Sequence, residues 1–335
     1  MKNYSFLALT DHRGHSKENS LYALVATLAR HPQCQRIDVA SRGTIDNIAF
    51  FKDRTSTKIS VCQVNKHFSF QENGLNFSEN LHQVTLEDYD VIFMRLARPV
   101  SDDFLDFVAQ KAKHKVIINH PLGIKKTSSK AFLLNFPEHC PPIQLCHTID
   151  AILEFAQQFP IVLKPLREYG GKGIVKIDGN YAFEGNQKHD LHTYLQGIVS
   201  EISSEGYLAM KFMENVDQGD KRIIVVNGQI LAASLRLPAK DSWLCNVAQG
   251  GTSIIAEVTP EEEAIIQAIS PRLLEEGIVI FGADTLVNDD GKRILSEINT
   301  LSIGGFPQAE QQSGKPILQQ TIDAIFETVN QHYEG

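Results

Sequence analysis

The chain has 335 residues, 42% apolar and 21% charged, an ordinary globular balance with room for two or three cores. Its formal net charge of -8 excludes broad nucleic-acid affinity and a basic membrane-binding face, so any phosphate site must be a local gathering of Lys and Arg. Five cysteines (Cys34, Cys62, Cys140, Cys146 and Cys245) form no CxxC pair and no even framework, which points to reduced, packed thiols in a cytoplasmic protein.

In chain order, residues 4–9 form a short strand that stops at Asp11-His12-Arg13, too short an apolar run for a signal peptide. An amphipathic helix starting near Asn19 covers 20–29, and 37–40 returns as a strand. The more polar interval 53–84 predicts loops or an edge hairpin. Apolar runs at 90–94 and 115–119 flank a helix over 101–112, and this repetition of strand, helix and strand predicts a parallel α/β sheet. Pro121 and Gly123 mark a boundary, and the Pro-rich 137–142 interval joins two segments of an α+β region. A strand at 162–164 enters the turn Gly170-Gly171-Lys172-Gly173 and returns over 173–177. Residues 207–213 and 223–226 are strands, and Asn227-Gly228 turns the second into 229–237. Thr259, Pro260 and Glu262 make a capped helix start; Pro271 is expected to kink or divide that helix, and Gly277 to end it. Residues 315–330 read as a closing helix. The units so drawn are 1–120, 121–206 and 207–335. No run approaches membrane-spanning length.

The hairpin over 279–299 brings carboxylates together. With a two-residue turn at Asp290-Gly291, Asp284 lies opposite Glu297, and Asn299 shares that face. Opposed like charges destabilise a sheet unless a cation sits between them, and oxygen ligands of this kind suit Mg²⁺. A solvated acidic face is the simpler reading of one isolated pair.

The glycines of Gly170-Gly171-Lys172-Gly173 allow backbone N–H groups to converge on an anion, although a bare hairpin turn explains them equally. The loop is neither a Walker A loop nor a dinucleotide fingerprint. Lys164 ends the preceding strand and Lys130 opens a helix; either could neutralise phosphate, and either could be a solvated lysine. Asp220-Lys221-Arg222 places three charges at a strand entrance, and Arg236 comes late in the return. A perfect Asn227-Gly228 register sends Arg236 to the face opposite Arg222, so both converge only with a bulge or strand end near 232–234.

Taken in order, Lys130, Lys164, the glycine loop, Gly219-Asp220-Lys221-Arg222, Arg236, Asn246 with Gly250-Gly251, Asp284 and Glu297-Ile298-Asn299 resemble the ATP-grasp ligases, most closely the bacterial glutathione synthetases. The resemblance covers about 90–330 well and the first 90 residues loosely. It implies an ATP-grasp fold, mixed α/β and α+β, behind an N-terminal parallel α/β domain. It further implies ATP as co-substrate, with Lys130, Lys164, Gly170, Gly171, Lys172 and Gly173 at the phosphates, Lys211, Phe212 and Met213 at adenine, and Glu214 at ribose. Asp284, Glu297 and Asn299 would carry two Mg²⁺. Arg222 and Arg236 would stabilise an acyl phosphate formed from a carboxylate donor before an amine displaces phosphate. Arg95 and Asn246 would hold the donor, and Gly304 and Gly305 belong to the substrate side. The partners implied are small-molecule substrates and a second copy of the chain in a homo-oligomer.

Three stretches depart from the family. Leu244-Cys245 replaces Arg-Gly before Asn246, Thr300-Leu301-Ser302-Ile303-Gly304-Gly305-Phe306 replaces a Thr-Ser-Pro turn, and the 14–20 segment is altered. All three fall on the donor and acceptor sides, so ATP and Mg²⁺ are better supported than γ-glutamylcysteine and glycine. A ligase with another donor or acceptor, and a non-catalytic nucleotide-binding module, are the alternatives. His12 and His15 read as a solvated loop pair, and Cys245 as a small packing residue.

Overall fold

The structure, a computed structural model, describes residues 2–65, 67–238 and 252–334. The first sheet contains β1 (Tyr4–Thr10), β2 (Cys34–Ser41), β3 (Lys58–Gln63), β4 (His82–Thr85), β5 (Val91–Arg95) and β6 (Val116–Ile118), in the order β4-β3-β2-β1-β5-β6. Strands β1, β2, β5 and β6 run parallel, and the polar 53–84 interval supplies the antiparallel edge pair β3 and β4. Along β1, Leu7 and Leu9 enter one core while Tyr4, Phe6 and Ala8 enter another, as a parallel sheet covered on both faces requires. The strand order turns back at β1, so Thr10 and Arg95 end beside the crevice where open α/β sheets take ligands.

The second sheet contains β7 (Ile143–Cys146), β8 (Ile161–Pro165), β9 (Val175–Asp178), β10 (Tyr181–Glu184), β11 (Gln187–Asp190) and β12 (Tyr207–Lys211), in the order β11-β10-β9-β8-β12-β7. Here the expected division before residue 207 needs correction. Leu208 lies opposite Lys164 of β8 and Leu145 of β7, so β12 completes this sheet instead of opening the next. One face has its own core, with Ile152, Leu163, Ile177 and Leu195. On the other, Leu208 and Met210 join the main core.

The third sheet contains β13 (Asp220–Val226), β14 (Gln229–Leu237), β15 (Thr252–Ala256), β16 (Ile280–Val287) and β17 (Arg293–Asn299), in the order β15-β14-β13-β16-β17. Ile223 and Val225 pack into the core of Leu7 and Leu9, and Ile224 and Val226 into that of Phe6, so the first and third sheets form one continuous body. Asn119 ties them together. Its Nδ2 donates to Ile280 O at 2.5 Å and Thr300 O at 2.7 Å, and its Oδ1 accepts from the backbone N–H groups of Val279 and Ile280. The helix Pro260–Glu275 begins with the expected capping box. Pro271 lies on its exposed face and does not divide it. Gly277, at φ +72°, ends it, with Ile278 N–H donating back to Leu273 O at 2.9 Å. No described helix is long and apolar enough to cross a membrane.

Candidate active site

The hairpin of β16 and β17 places Asp284 opposite Glu297 and Gly282 opposite Asn299. Its geometry differs from the expected two-residue turn. Asn288 N–H donates to Lys292 O at 2.8 Å, and Gly291 adopts φ +78°, so the loop holds three residues, 289–291. A bulge between Asp284 and Thr285 inserts Ser296, whose Oγ donates to Asp284 O at 3.0 Å. Each feature shifts the register by one, and the two shifts cancel.

In β13 and β14 the Asn227-Gly228 turn is present, with φ of +49° and +75°. The required bulge is also present, at Leu231, one residue before the expected interval: Val225 pairs with Ile230 and Ile224 with Ala232. Arg222 then faces Ser234 and Asp220 faces Arg236, so both arginines lie on the face of Asp284.

Arg222 grips Asp284 through Nε to Oδ1 and through Nη2 to Oδ2 at 2.7 Å, and Arg236 Nη2 approaches the same Oδ2 at 2.9 Å. Arg236 also donates to both oxygens of Asp220 at 2.6 Å. Burial alone would raise the Asp284 carboxyl, but the two guanidiniums outweigh it and hold the group at about 2. Asp220 moves the other way: burial and the charge of Asp284 lift it to about 6 against the pull of Arg236. The opposed carboxylates are thus compensated by arginines on the Asp284 side. On the other, Lys130 Nζ lies 3.6 Å from Glu297 Oε1.

Lys130 opens the short helix Lys130–Asn135 and also donates to Glu168 O. Lys164 Nζ donates to Ser296 O at 3.2 Å; burial lowers its pKa, partly offset by Glu297. Both lysines are buried. Lys164 lines the polar end of a cleft between the second and third sheets, about 640 Å³ including open solvent, whose apolar walls include Val162, Met210 and Leu286; Lys130 stands beside it through Glu297. Lys211, Phe212 and Met213 line it too, and exposed Glu214 follows at the start of the turn Glu214–Gln218. An apolar slot with lysines at one end suits a flat ring system carrying phosphates.

A second cavity, about 950 Å³ of open space, shares Glu297 with the first. Arg222, Arg236, Asn299, Gly170 and Gly304 line it. Between the two, Asp284, Glu297 and Asn299 offer oxygen donors on one face, with Asn299 Nδ2 3.3 Å from Asp284 Oδ2. The donor chemistry fits Mg²⁺. Among the described residues no group of three His, Cys, Asp or Glu could hold a metal, so an ion here would depend on Asn299 and on oxygens from a bound nucleotide.

Other expected site residues fall elsewhere. Arg95 is buried, off the cavity wall; its Nη2 donates to Ile303 O at 2.6 Å and burial lowers its pKa to about 10. Lys172 is exposed and pairs with Glu168 at 3.6 Å, and of its loop only Gly170 reaches the second cavity. Gly305, at φ +94°, caps the helix Phe306–Ser313. Asn246 and Cys245 lie outside the described residues. His12 and His15 are not a freely solvated pair: His12 stacks on Phe77 at 4.6 Å, and His15 sits between Thr10 and Tyr22, where burial pushes it down to about 4.

Sequence reasoning missed Arg98 and Tyr169, which also line the second cavity, and it gave Asp220 no role. For Asp220 the signal was available, since the bulge that aligns the arginines sets it against Arg236. Arg98 carries no local signal beyond following a strand's carboxyl end.

The prokaryotic glutathione synthetase ATP-grasp domain matches residues 129–314. The glutathione synthetase of Parasynechococcus marenigrum is 30% identical over 247 residues, 72% of this chain and 76% of that protein. That of Bradyrhizobium diazoefficiens is 29% identical over 250 residues, 72% and 74% of the two chains. In fold, the chain is similar to D-cycloserine synthetase DcsG (TM-score 0.66, 11% identity, 97% of this chain and 99% of that one). It is also similar to the RiPP-associated ATP-grasp ligase of Chryseobacterium gregarium (TM-score 0.63, 12% identity, 98% and 97%). The chain belongs to the prokaryotic glutathione synthetase ATP-grasp family and carries the carboxylate–amine ligase chemistry of ATP-grasp enzymes.

Proposed function

We propose that this chain activates a carboxylate as an acyl phosphate and passes it to an amine, using a donor and acceptor pair other than γ-glutamylcysteine and glycine. The observation that carries the reading is Asp284 held between Arg222 and Arg236 beside the shared wall of the two cavities, with Lys130, Lys164 and Glu297 on the nucleotide side. Phosphoryl transfer of this kind asks for positioning and charge neutralisation rather than a protein nucleophile. Lys130 and Lys164 supply point charges for phosphate oxygens. Arg222 and Arg236 are poised to turn from Asp284 toward charge developing on the acyl phosphate. Lys211, Phe212 and Met213 would border the base, Glu214 the ribose, and the glycine loop would close over the phosphates. Asp284, Glu297 and Asn299 would hold Mg²⁺, which neutralises phosphate charge when bound.

The departures from the family at 14–20, 244–245 and 300–306 support a different pair, and the last of them includes an unusual backbone. Ser302 has φ +47°, a conformation costly for a residue with a side chain, and its buried Oγ finds no hydrogen-bond partner among the described residues. The second reading, glutathione formation, is favoured by the two sequence relatives above.

Phosphate release with ATP, Mg²⁺ and a matrix of donors and amines separates these readings. Release with another pair, and none with γ-glutamylcysteine and glycine, supports the proposal. Fastest turnover to glutathione replaces it with the second reading. Bound nucleotide without release for any pair would leave a non-catalytic nucleotide-binding module.

A further inference from the structure

Three guanidiniums line the second cavity, in different electrostatic states. Arg222 and Arg236 meet carboxylates at 2.6–2.9 Å. Arg98 meets none within 4.0 Å among the described residues. Its Nη1 donates to Arg167 O and its Nη2 to Ser128 O, each at 3.3 Å. Neutral acceptors at that distance offset only part of the cost of taking a guanidinium out of water. Burial accordingly lowers its pKa, and Glu297, the main opposing charge, stays outside ion-pair distance.

Arg98 is also held in place. Arg42 donates to Pro99 O at 2.5 Å and Ala97 O at 3.0 Å, on either side of it, while its Nε rests on Asp11 at 2.8 Å. Burial works against the Asp11 charge, but Arg13 and Arg42 hold its carboxyl far below the usual range. The hydroxyl of Tyr169 donates to Arg98 O at 3.3 Å, and its ring stands 6.0 Å from the guanidinium. The result is a fixed cation, without a counter-ion among the described residues, on the wall of the second cavity.

We propose that Arg98 is a specificity residue of the ligase: it binds a substrate carboxylate that does not react and so orients the molecule across the cavity toward Arg222 and Arg236. This rests on the ligase reading above. The planar fork matches two carboxylate oxygens, and phosphate has its own cations in Lys130 and Lys164. The carboxylate belongs either to a donor with a second carboxyl group or to an amino-acid acceptor.

The full chain, saturated with a non-hydrolysable ATP analogue and Mg²⁺, is titrated calorimetrically with matched acids and amides. One arm uses amino acids and their amides as acceptors; the other uses dicarboxylate donors and their remote monoamides. Wild type is expected to bind at least one acid roughly tenfold or more tightly than its amide. Arg98→Gln should bring that ratio to about one, and Arg98→Lys should keep part of it, since it retains the charge without the fork. Thermal unfolding and analogue affinity should stay at wild-type values. The arm that shows the ratio assigns the carboxylate to donor or acceptor. Acid and amide binding alike throughout, or a ratio that survives in Arg98→Gln, overturns the role of Arg98. Should Arg98→Gln fail to fold, Arg98→Lys carries the test, and an unchanged ratio overturns it. The ligase reading falls separately, through absence of phosphate release in the wild type with every donor and amine.

Discussion

Asp220 and Asp284 touch the same guanidinium, yet removing their charges should have different consequences. Asp284 is held at about 2 against an ordinary 3.8. This depression makes its ionised form worth on the order of 2 kcal/mol at neutral pH. Asp284→Asn also leaves buried Arg236 and half-buried Arg222 to one carboxylate, and breaking a buried pair costs about 3–5 kcal/mol. Asp220 is lifted to about 6, so its ionised form works against folding at pH 7 by on the order of 3 kcal/mol. Asp220→Asn removes that penalty and leaves Arg236 its contact with Asp284 at 2.9 Å. The expected result in urea unfolding at pH 7 is therefore a loss of about 3 kcal/mol or more for Asp284→Asn and no loss for Asp220→Asn. The pH dependence has opposite signs. Stability from Asp284, whose folded pKa is depressed, is present above 3.8 and lost as pH falls toward about 2. Stability from Asp220, whose folded pKa is raised, is complete below 3.8 and lost as pH rises through about 6. Wild type should thus lose on the order of 2 kcal/mol relative to Asp220→Asn from about pH 4 to about pH 7. Equal losses at pH 7, or a flat difference, would refute the division of roles.

Glu262 is buried and takes Lys221 at 2.7 Å, Thr285 Oγ1 at 2.6 Å and Thr259 N–H at 2.9 Å, so Glu262→Gln should cost about 3–5 kcal/mol in urea. An unchanged midpoint would mean that the Glu257 carbonyl, which Lys221 also meets at 2.7 Å, is enough to hold the buried ammonium. Asn119→Ala removes four buried hydrogen bonds between the first and third sheets and should cost about 2–4 kcal/mol; a loss under about 1 kcal/mol would show that the sheets are joined by apolar packing alone. Glu297 is more open and pairs with Lys130 at 3.6 Å, so Glu297→Gln should change stability by less than about 1 kcal/mol. The same substitution should weaken the Mg²⁺-dependent part of ADP binding at least about tenfold by calorimetry, and full retention of that dependence would remove Glu297 from the metal role.

The shared faces of Asp284 with Glu297 and of Arg222 with Arg236 could be read from the sequence because local hairpins arrange them. Asp284 and Glu297 sit 13 positions apart on one hairpin, and Arg222 and Arg236 on another, so alternation and turn chemistry carry most of the information. Even there, part of the success was compensation, since a three-residue loop and a bulge at Ser296 restore the pairing that a two-residue turn predicts. What neutralises Asp284 was not legible in the same way. The family resemblance implied that the arginines face an acyl phosphate, but their hold on Asp284 emerges only once β13 is known to pair with β16, more than fifty residues away. The placement of β12 failed for a related reason: an apolar strand records that it will be buried, not which sheet will bury it.

The substrate side depends on contacts of still longer range. Thr300 is fixed by Asn119 and by Thr127, whose Oγ1 donates to Thr300 Oγ1 at 2.9 Å, and Ile303 is fixed by Arg95. These pairs are 173 to 208 residues apart, and each ties the segment after β17 to the first sheet or the helix that follows it. Substitutions in that segment can therefore reshape the cavity while β16 and β17 keep their register, since the anchors belong to a different unit. Arg95 acquires a new meaning in this arrangement. As a buried cation on the carbonyl of Ile303 it sets the position of the wall, whereas Arg98, three residues further on, stands on the wall itself. Replacing Arg95 should therefore alter the affinity of donor and acceptor together, whereas replacing Arg98 should affect only the substrate that bears the unreacted carboxylate.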